Sequence, residues 1–81
     1  MQKYYTEVLQ YTTNYNLTSN CNGISFTNTG SSTLFVNKYK LTPGATLSIN
    51  GNYGELDTTQ YKINFPANSG ECTIIRKMYI A

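Results

Sequence analysis

Few residues in this chain have types and spacings that can carry chemistry. Glu55 and Asp57 stand two apart, beside Asn50 and Asn52, in an oxygen-rich run of the kind from which loops supply ligands to hard cations. The spacing does not match an EF-hand loop. Asp57-Thr58-Thr59 also describes a turn in which the aspartate accepts a hydrogen bond from the backbone two residues on, and this is the preferred reading. As a glycosidase pair, Glu55 and Asp57 would have to face each other across a sugar ring, and the other carboxylates, Glu7 and Glu71, are distant in sequence. The chain has no histidine, so it lacks the usual proton shuttle and the commonest metal ligand, and it cannot build a Ser-His-Asp or Cys-His pair. Without histidine, Cys21 and Cys72 are too few for a zinc site. A bridge between them would close a loop of about fifty residues and contribute roughly 4 kcal/mol in the entropic account. The expectation is a protein with no catalytic residues, no metal and no cofactor, in which a Cys21–Cys72 disulfide is left open.

Composition points to contact surfaces. The chain has 81 residues, 12% of them charged, a net charge of +2 and eight tyrosines. An ordinary soluble domain is roughly 25% charged. A chain this short buries only about 60–65% of its unfolded surface, so it gains from a disulfide, a metal or a neighbouring subunit, and a neighbour fits best. Tyrosine joins an apolar body to a polar tip and suits interfaces as well as sheet faces. The basic residues Lys3, Lys38, Lys40, Lys62, Arg76 and Lys77 are dispersed and form no stripe, which argues against nucleic-acid binding. Met1 to Glu7 contains no apolar h-region, and no later run approaches the ~20 apolar residues that span a bilayer, so neither a Sec-targeted nor a membrane-embedded protein is expected.

The elements that position these residues are short strands. Between Lys3 and Leu17 the odd positions Tyr5, Leu9, Tyr11, Tyr15 and Leu17 make an apolar face interrupted by Glu7 and Thr13. Tyr4, Val8, Tyr11 and Tyr15 also fit a helical spacing, but the Thr, Tyr and Asn content favours strand. Fifteen residues exceed the usual strand, so residues 1–20 either bend in the middle or project as an assembly arm. Ile24 and Phe26 alternate with polar residues up to the Asn28–Ser32 break, a pattern resembling a hairpin with the next strand. In that strand Leu34 and Val36 share one face and Phe35 takes the other. Thr42-Pro43-Gly44-Ala45 reads as a type II turn. Leu47 and Ile49, then Tyr61, Ile63 and Phe65, then Cys72, Ile74, Met78 and Ile80 with Arg76 interrupting, complete the pattern. Six or seven short strands predict an all-β fold, a single small antiparallel β-sandwich or barrel over residues 1–81. No linker or internal repeat is visible.

Gly23-Ile24-Ser25-Phe26-Thr27-Asn28-Thr29-Gly30, Thr33-Leu34-Phe35-Val36-Asn37, Leu41-Thr42-Pro43-Gly44 and the run from Gly51 to Phe65, with its Gly-Asn-Tyr-Gly-Glu-Leu-Asp order, cover about half the chain. Together they resemble small β-sandwich virion proteins of tailed bacteriophages, especially those of Bacteroidetes phages and prophages. The resemblance implies a structural component of a phage particle, made in the host bacterial cytoplasm, that contacts copies of itself and other virion proteins such as the major capsid or tail proteins. It carries over no site residues. The contact residues expected from the surplus of tyrosine and from the strand alternation are Tyr4, Tyr5, Tyr11, Phe35, Tyr39 and Tyr53. A glycan-binding or adhesive module is the alternative, since aromatic tips beside Asn and Thr can stack on and hydrogen-bond sugars.

Overall fold

Apolar residues recur at every second position through most of the chain, and in the computed structural model these runs are strands with alternate side chains turned inward. The structure describes residues 3–51, 54–67 and 69–79. The strands in chain order are β1 (Tyr4–Tyr11), β2 (Tyr15–Thr18), β3 (Gly23–Asn28), β4 (Leu34–Val36), β5 (Tyr39–Leu41), β6 (Thr46–Ile49), β7 (Gln60–Asn64) and β8 (Cys72–Tyr79). They build two antiparallel four-stranded sheets, ordered β1-β8-β3-β6 (sheet A) and β2-β7-β4-β5 (sheet B). Six of the seven connections pass from one sheet to the other, and β4–β5 alone is a hairpin within a sheet. This is the jelly-roll form of the β-sandwich.

The inner faces close on one cluster. Phe26, Phe65, Leu34, Leu41, Ile63, Ile74 and Val36 are fully buried, and Leu9, Tyr11, Leu47, Ile49 and Met78 pack against its margin. The Phe26 and Tyr61 rings meet at 5.0 Å across the two sheets. Emptying the Phe26 site to alanine would cost about 3–5 kcal/mol, a large part of what so small a core can supply.

Of the odd-numbered face of the N-terminal segment, Glu7, Leu9, Tyr11 and Leu17 turn inward, whereas Tyr5, Thr13 and Tyr15 are exposed, and the segment bends. β1 belongs to sheet A and β2 to sheet B. The corner between them is held by Asn14, whose Oδ1 accepts the Phe65 amide at 2.7 Å, and by stacking of Tyr11 on Tyr15 at 4.3 Å. The bend lets Leu9 and Leu17 reach the same core. The hairpin expected after Phe26 is not formed either. β3 is an interior strand between β8 and β6, and residues 29–33 carry the chain across to sheet B. Asn28, 1% exposed, organises that crossing: its Nδ2 donates to the Ser32 and Leu41 carbonyls at 2.8 and 2.9 Å, and its Oδ1 accepts the Gly30 amide at 3.1 Å. The strand count rises to eight because β5 has only three residues, too few to display a period of two. The type II turn is present as expected, with Ala45 N donating to Thr42 O at 2.9 Å and Gly44 at φ +85°.

Glu7 and Arg76, each an interruption of an apolar face, stand directly opposite each other in the β1–β8 ladder. Arg76 Nε donates to Glu7 Oε1 at 2.5 Å, and Nη1 donates to the Thr18 and Ser19 carbonyls at 3.0 Å each. One guanidinium therefore joins β8, β1 and the β2–β3 crossing. The side chains are 13% and 30% exposed for Arg76 and Glu7, so screening by water is limited. Arg76→Met is expected to lower the unfolding free energy by about 2–4 kcal/mol in urea titration, because it strands an inward carboxylate and two carbonyls. Adding Glu7→Leu should recover part of the loss. An unchanged urea midpoint for Arg76→Met would exclude a bridging role.

Candidate interaction surfaces

The sequence-expected contact residues divide into two groups on different sheets. Tyr4, Tyr5 and Tyr11 lie on β1, at the edge of sheet A. Tyr4 is half-buried, its ring 5.0 Å from Tyr79 and 5.4 Å beneath the Lys77 ammonium, a cation–π geometry. Tyr5 is exposed. Tyr11 is partly committed to the core margin and the Tyr15 stack. Phe35 and Tyr39 lie on the β4–β5 hairpin of sheet B, Phe35 half-buried on the outer face and Tyr39 56% exposed. Tyr53 lies outside the described residues.

Sequence reasoning missed the apolar pair on sheet A's outer face, on its edge strand β1 and the adjoining β8. Val8 and Ile75 are Cα partners, 62% and 44% exposed. The signal was present in the alternation, since both occupy the outward set of their strands, but pairing across 67 positions is not readable from either strand alone. Around them the outer face is rich in hydroxyls: Thr27 and Thr46 lie 3.0 Å apart, Thr29 and Thr73 3.1 Å apart, and Thr29 Oγ1 donates to Glu71 Oε1 at 2.7 Å.

The outer face of sheet B is different. Its outward residues are Asn16 and Thr18 on β2, Gln60, Lys62 and Asn64 on β7, Phe35 on β4 and Lys40 on β5, with Lys38 in the adjoining turn. Phe35 stands between its Cα partners Asn64 and Lys40, and Asn16 opposite Lys62. Lysines that look dispersed in the sequence thus share one face, on which no outward strand residue is acidic. An open groove of ≈ 420 Å³ runs along β2 and β7, lined by Asn14 to Asn16 and Lys62 to Asn64.

Of the oxygen-rich run, Asn52 lies outside the described residues, and Asp57 forms a turn. Asp57 Oδ1 accepts the Thr59 amide at 2.8 Å, Oδ2 accepts the Tyr61 hydroxyl at 2.8 Å, and the Asp57 carbonyl accepts the Ser19 hydroxyl at 2.6 Å. Burial by itself raises the Asp57 pKa, but the hydrogen bonds from Thr59, Tyr61 and Ser19 outweigh it and hold the carboxyl below its ordinary 3.8. Burial, then the hydrogen bond and charge of Asp57, push Tyr61 up to about 12. Among the described residues, no three His, Cys, Asp or Glu side chains cluster as a metal site, and no helix is long and apolar enough to cross a membrane.

The Cys21–Cys72 bridge left open from the sequence is not made; both thiols are free and buried. Cys72 is the Cα partner of Asn28 at one end of β3, whereas Cys21 precedes Gly23 at the other end. The length of β3 alone separates them by about 16 Å, against the 7 Å that a disulfide tolerates between Cα atoms. Burial raises Cys21, with Asp57 adding to it, and burial raises Cys72 to about 11. Both therefore stay protonated and weakly nucleophilic at neutral pH.

Compared with protein-family models, with curated proteins and with solved structures, the chain matches none.

Two measurements check this geometry. Because the Asp57 pKa is lowered by folding, its stabilising contribution is complete above 3.8 and is lost as the pH falls through the lower folded-state value. Asp57→Asn should therefore be less stable than the parent at pH 7 in urea titration, with the gap closing in acid; a gap that persists there counts against the assignment. For the thiols, a chromogenic disulfide reagent should titrate neither cysteine in native protein and both in urea. Native labelling at either position would show that the burial is wrong.

Proposed function

We propose that this chain is a non-enzymatic structural component of a bacteriophage virion. It decorates or cements the capsid, or fills a place in the tail or neck, as a homo-oligomer in contact with capsid or tail proteins. Synthesis in the bacterial cytoplasm precedes incorporation into the particle.

The observation that carries this reading is the open edge of β1. Four strands lie at sheet edges: β2, β5 and β6 have three or four residues each, whereas β1 has eight. Proteins that stay monomeric blunt long edges with charge, proline or bulges. β1 has no proline, it pairs with β8 in unbroken register over its whole length, and its one charged residue, Glu7, is turned inward onto Arg76. Roughly every second residue of such an edge offers both backbone groups to a neighbour, while exposed Tyr5 and the Val8–Ile75 pair supply apolar area beside it. Many such contacts on a repeating lattice reinforce one another through effective concentration, so individually modest interfaces become persistent. The jelly-roll connectivity agrees by analogy, being common to viral capsid domains, although the same fold hosts lectins and cupins.

Val8→Lys tests this with little risk to the fold, since Val8 is mostly exposed. Native mass spectrometry should show the parent as an oligomer and the variant shifted to monomer. The variant should also fail to rebind phage particles stripped of the protein, with its own unfolding free energy altered by less than about 0.5 kcal/mol. A parent that is strictly monomeric and does not rebind such particles would exclude the proposal.

A further inference from the structure

The outer face of sheet B belongs to the other sheet from β1. We infer that it is a binding face for an acidic oligosaccharide, with uronate, sialate or sulfate groups as the recognised anions.

Three features converge there. Lys62 and Lys40 project outward on either side of the Asn64–Phe35 pair, Lys38 adjoins them in the turn, and no acidic residue occupies an outward strand position of that sheet. Asp57, which precedes β7, has both oxygens engaged by Thr59 and Tyr61. The outward strand positions of the face carry positive charge with no acidic residue among them and are complementary to an anion. Next to the lysines, the groove of ≈ 420 Å³ presents Asn16 and Asn64, whose side-chain amides make no hydrogen bond to another described residue. An amide offers two donors and an acceptor, matching paired sugar hydroxyls, which lysine alone would not recognise. Phe35 gives a half-exposed ring on which the C–H face of a pyranose can rest, beside the amide of its partner strand.

This combination favours a saccharide over other anions. Binding of single-stranded nucleic acid relies on a track of cations with aromatic rings in succession along it, and here three lysines without arginine are present, while the exposed or half-exposed rings Tyr15, Phe35 and Tyr39 stand on three different strands. An acidic protein surface offers carboxylates to the lysines and to the amides alike, but not the C–H face that rests on an aromatic ring, and polyglutamate tests it directly.

Titration followed by backbone amide NMR and calorimetry decides the matter, with oligogalacturonate, oligosialate and a heparin tetrasaccharide as acidic probes. Neutral oligogalactose, single-stranded DNA and polyglutamate of matched length serve as comparisons. At least one acidic saccharide should bind more tightly than every comparison, with shifts concentrated at Asn16, Phe35, Lys62 and Asn64. Lys62→Gln should weaken it roughly tenfold. Asn64→Ala, which changes no charge, should weaken it roughly threefold or more. Both positions are outward, and unchanged thermal unfolding of the variants would confirm that the fold is kept. Equal or tighter binding of DNA or polyglutamate, equal binding of the neutral sugar, shifts centred elsewhere, no effect of Asn64→Ala, or no binding of any acidic saccharide at millimolar concentration would each overturn the inference. Since Val8→Lys leaves this face intact, failure here and failure of the assembly reading are separable.

Discussion

A chain that changes sheets at six of its seven connections delivers backbone amides and carbonyls to both ends of the sandwich, where no ladder partner waits for them. Everything else depends on how those groups are satisfied, because an unpaired buried amide or carbonyl costs as much as several buried methylenes return. At one end Asn28 spends its whole side-chain amide on three backbone groups. At the other, Arg76 takes two carbonyls of the β2–β3 crossing, and Asn22 Nδ2 reaches the Glu55 carbonyl and the Tyr79 hydroxyl. Among the described residues no buried side-chain nitrogen or oxygen lacks a partner. The thin apolar core fills the middle, and polar side chains close the ends.

That division of labour explains the surfaces. With inward positions occupied by core or by these polar closures, function is left to the outward half of each strand, and the two sheets use it differently. Sheet A carries hydroxyls and an apolar pair at its long open edge. Sheet B carries amides, lysines and the rings of Tyr15, Phe35 and Tyr39. An 81-residue chain thus has two chemically distinct faces with a single layer of core between them, and each can change without repacking the other.

Much of the architecture was legible because it is local. Alternation marked Ile24, Phe26, Ile63 and Phe65 as inward, Pro43-Gly44 defined its turn, and Asp57 announced the turn to Thr59. The parts that were not legible depend on pairing across the chain. Glu7 and Arg76 looked like two separate defects in apolar faces, and only the register of β1 against β8 shows that each is the other's partner. The same holds for Val8 with Ile75, and for Lys38, Lys40 and Lys62, which stand on different strands or turns of one sheet. Asn28 read as a turn residue, which it is locally. Its burial depends on β5 arriving beside it.

β8 lies between β1 and β3, so sheet A has no continuous form until the last strand is in place; Tyr4 pairs with Tyr79. Local pairing offers little beyond the β4–β5 hairpin, and topologies dominated by distant contacts fold slowly, in milliseconds to seconds. β1 is therefore synthesised first and paired last. During translation the same strand that offers the longest edge is also single, and both of its edges are open to any other chain. Pairing with β8 and docking onto a neighbour then compete for one segment. The interval before β8 reaches β1 is therefore the time for which that strand is open on both sides.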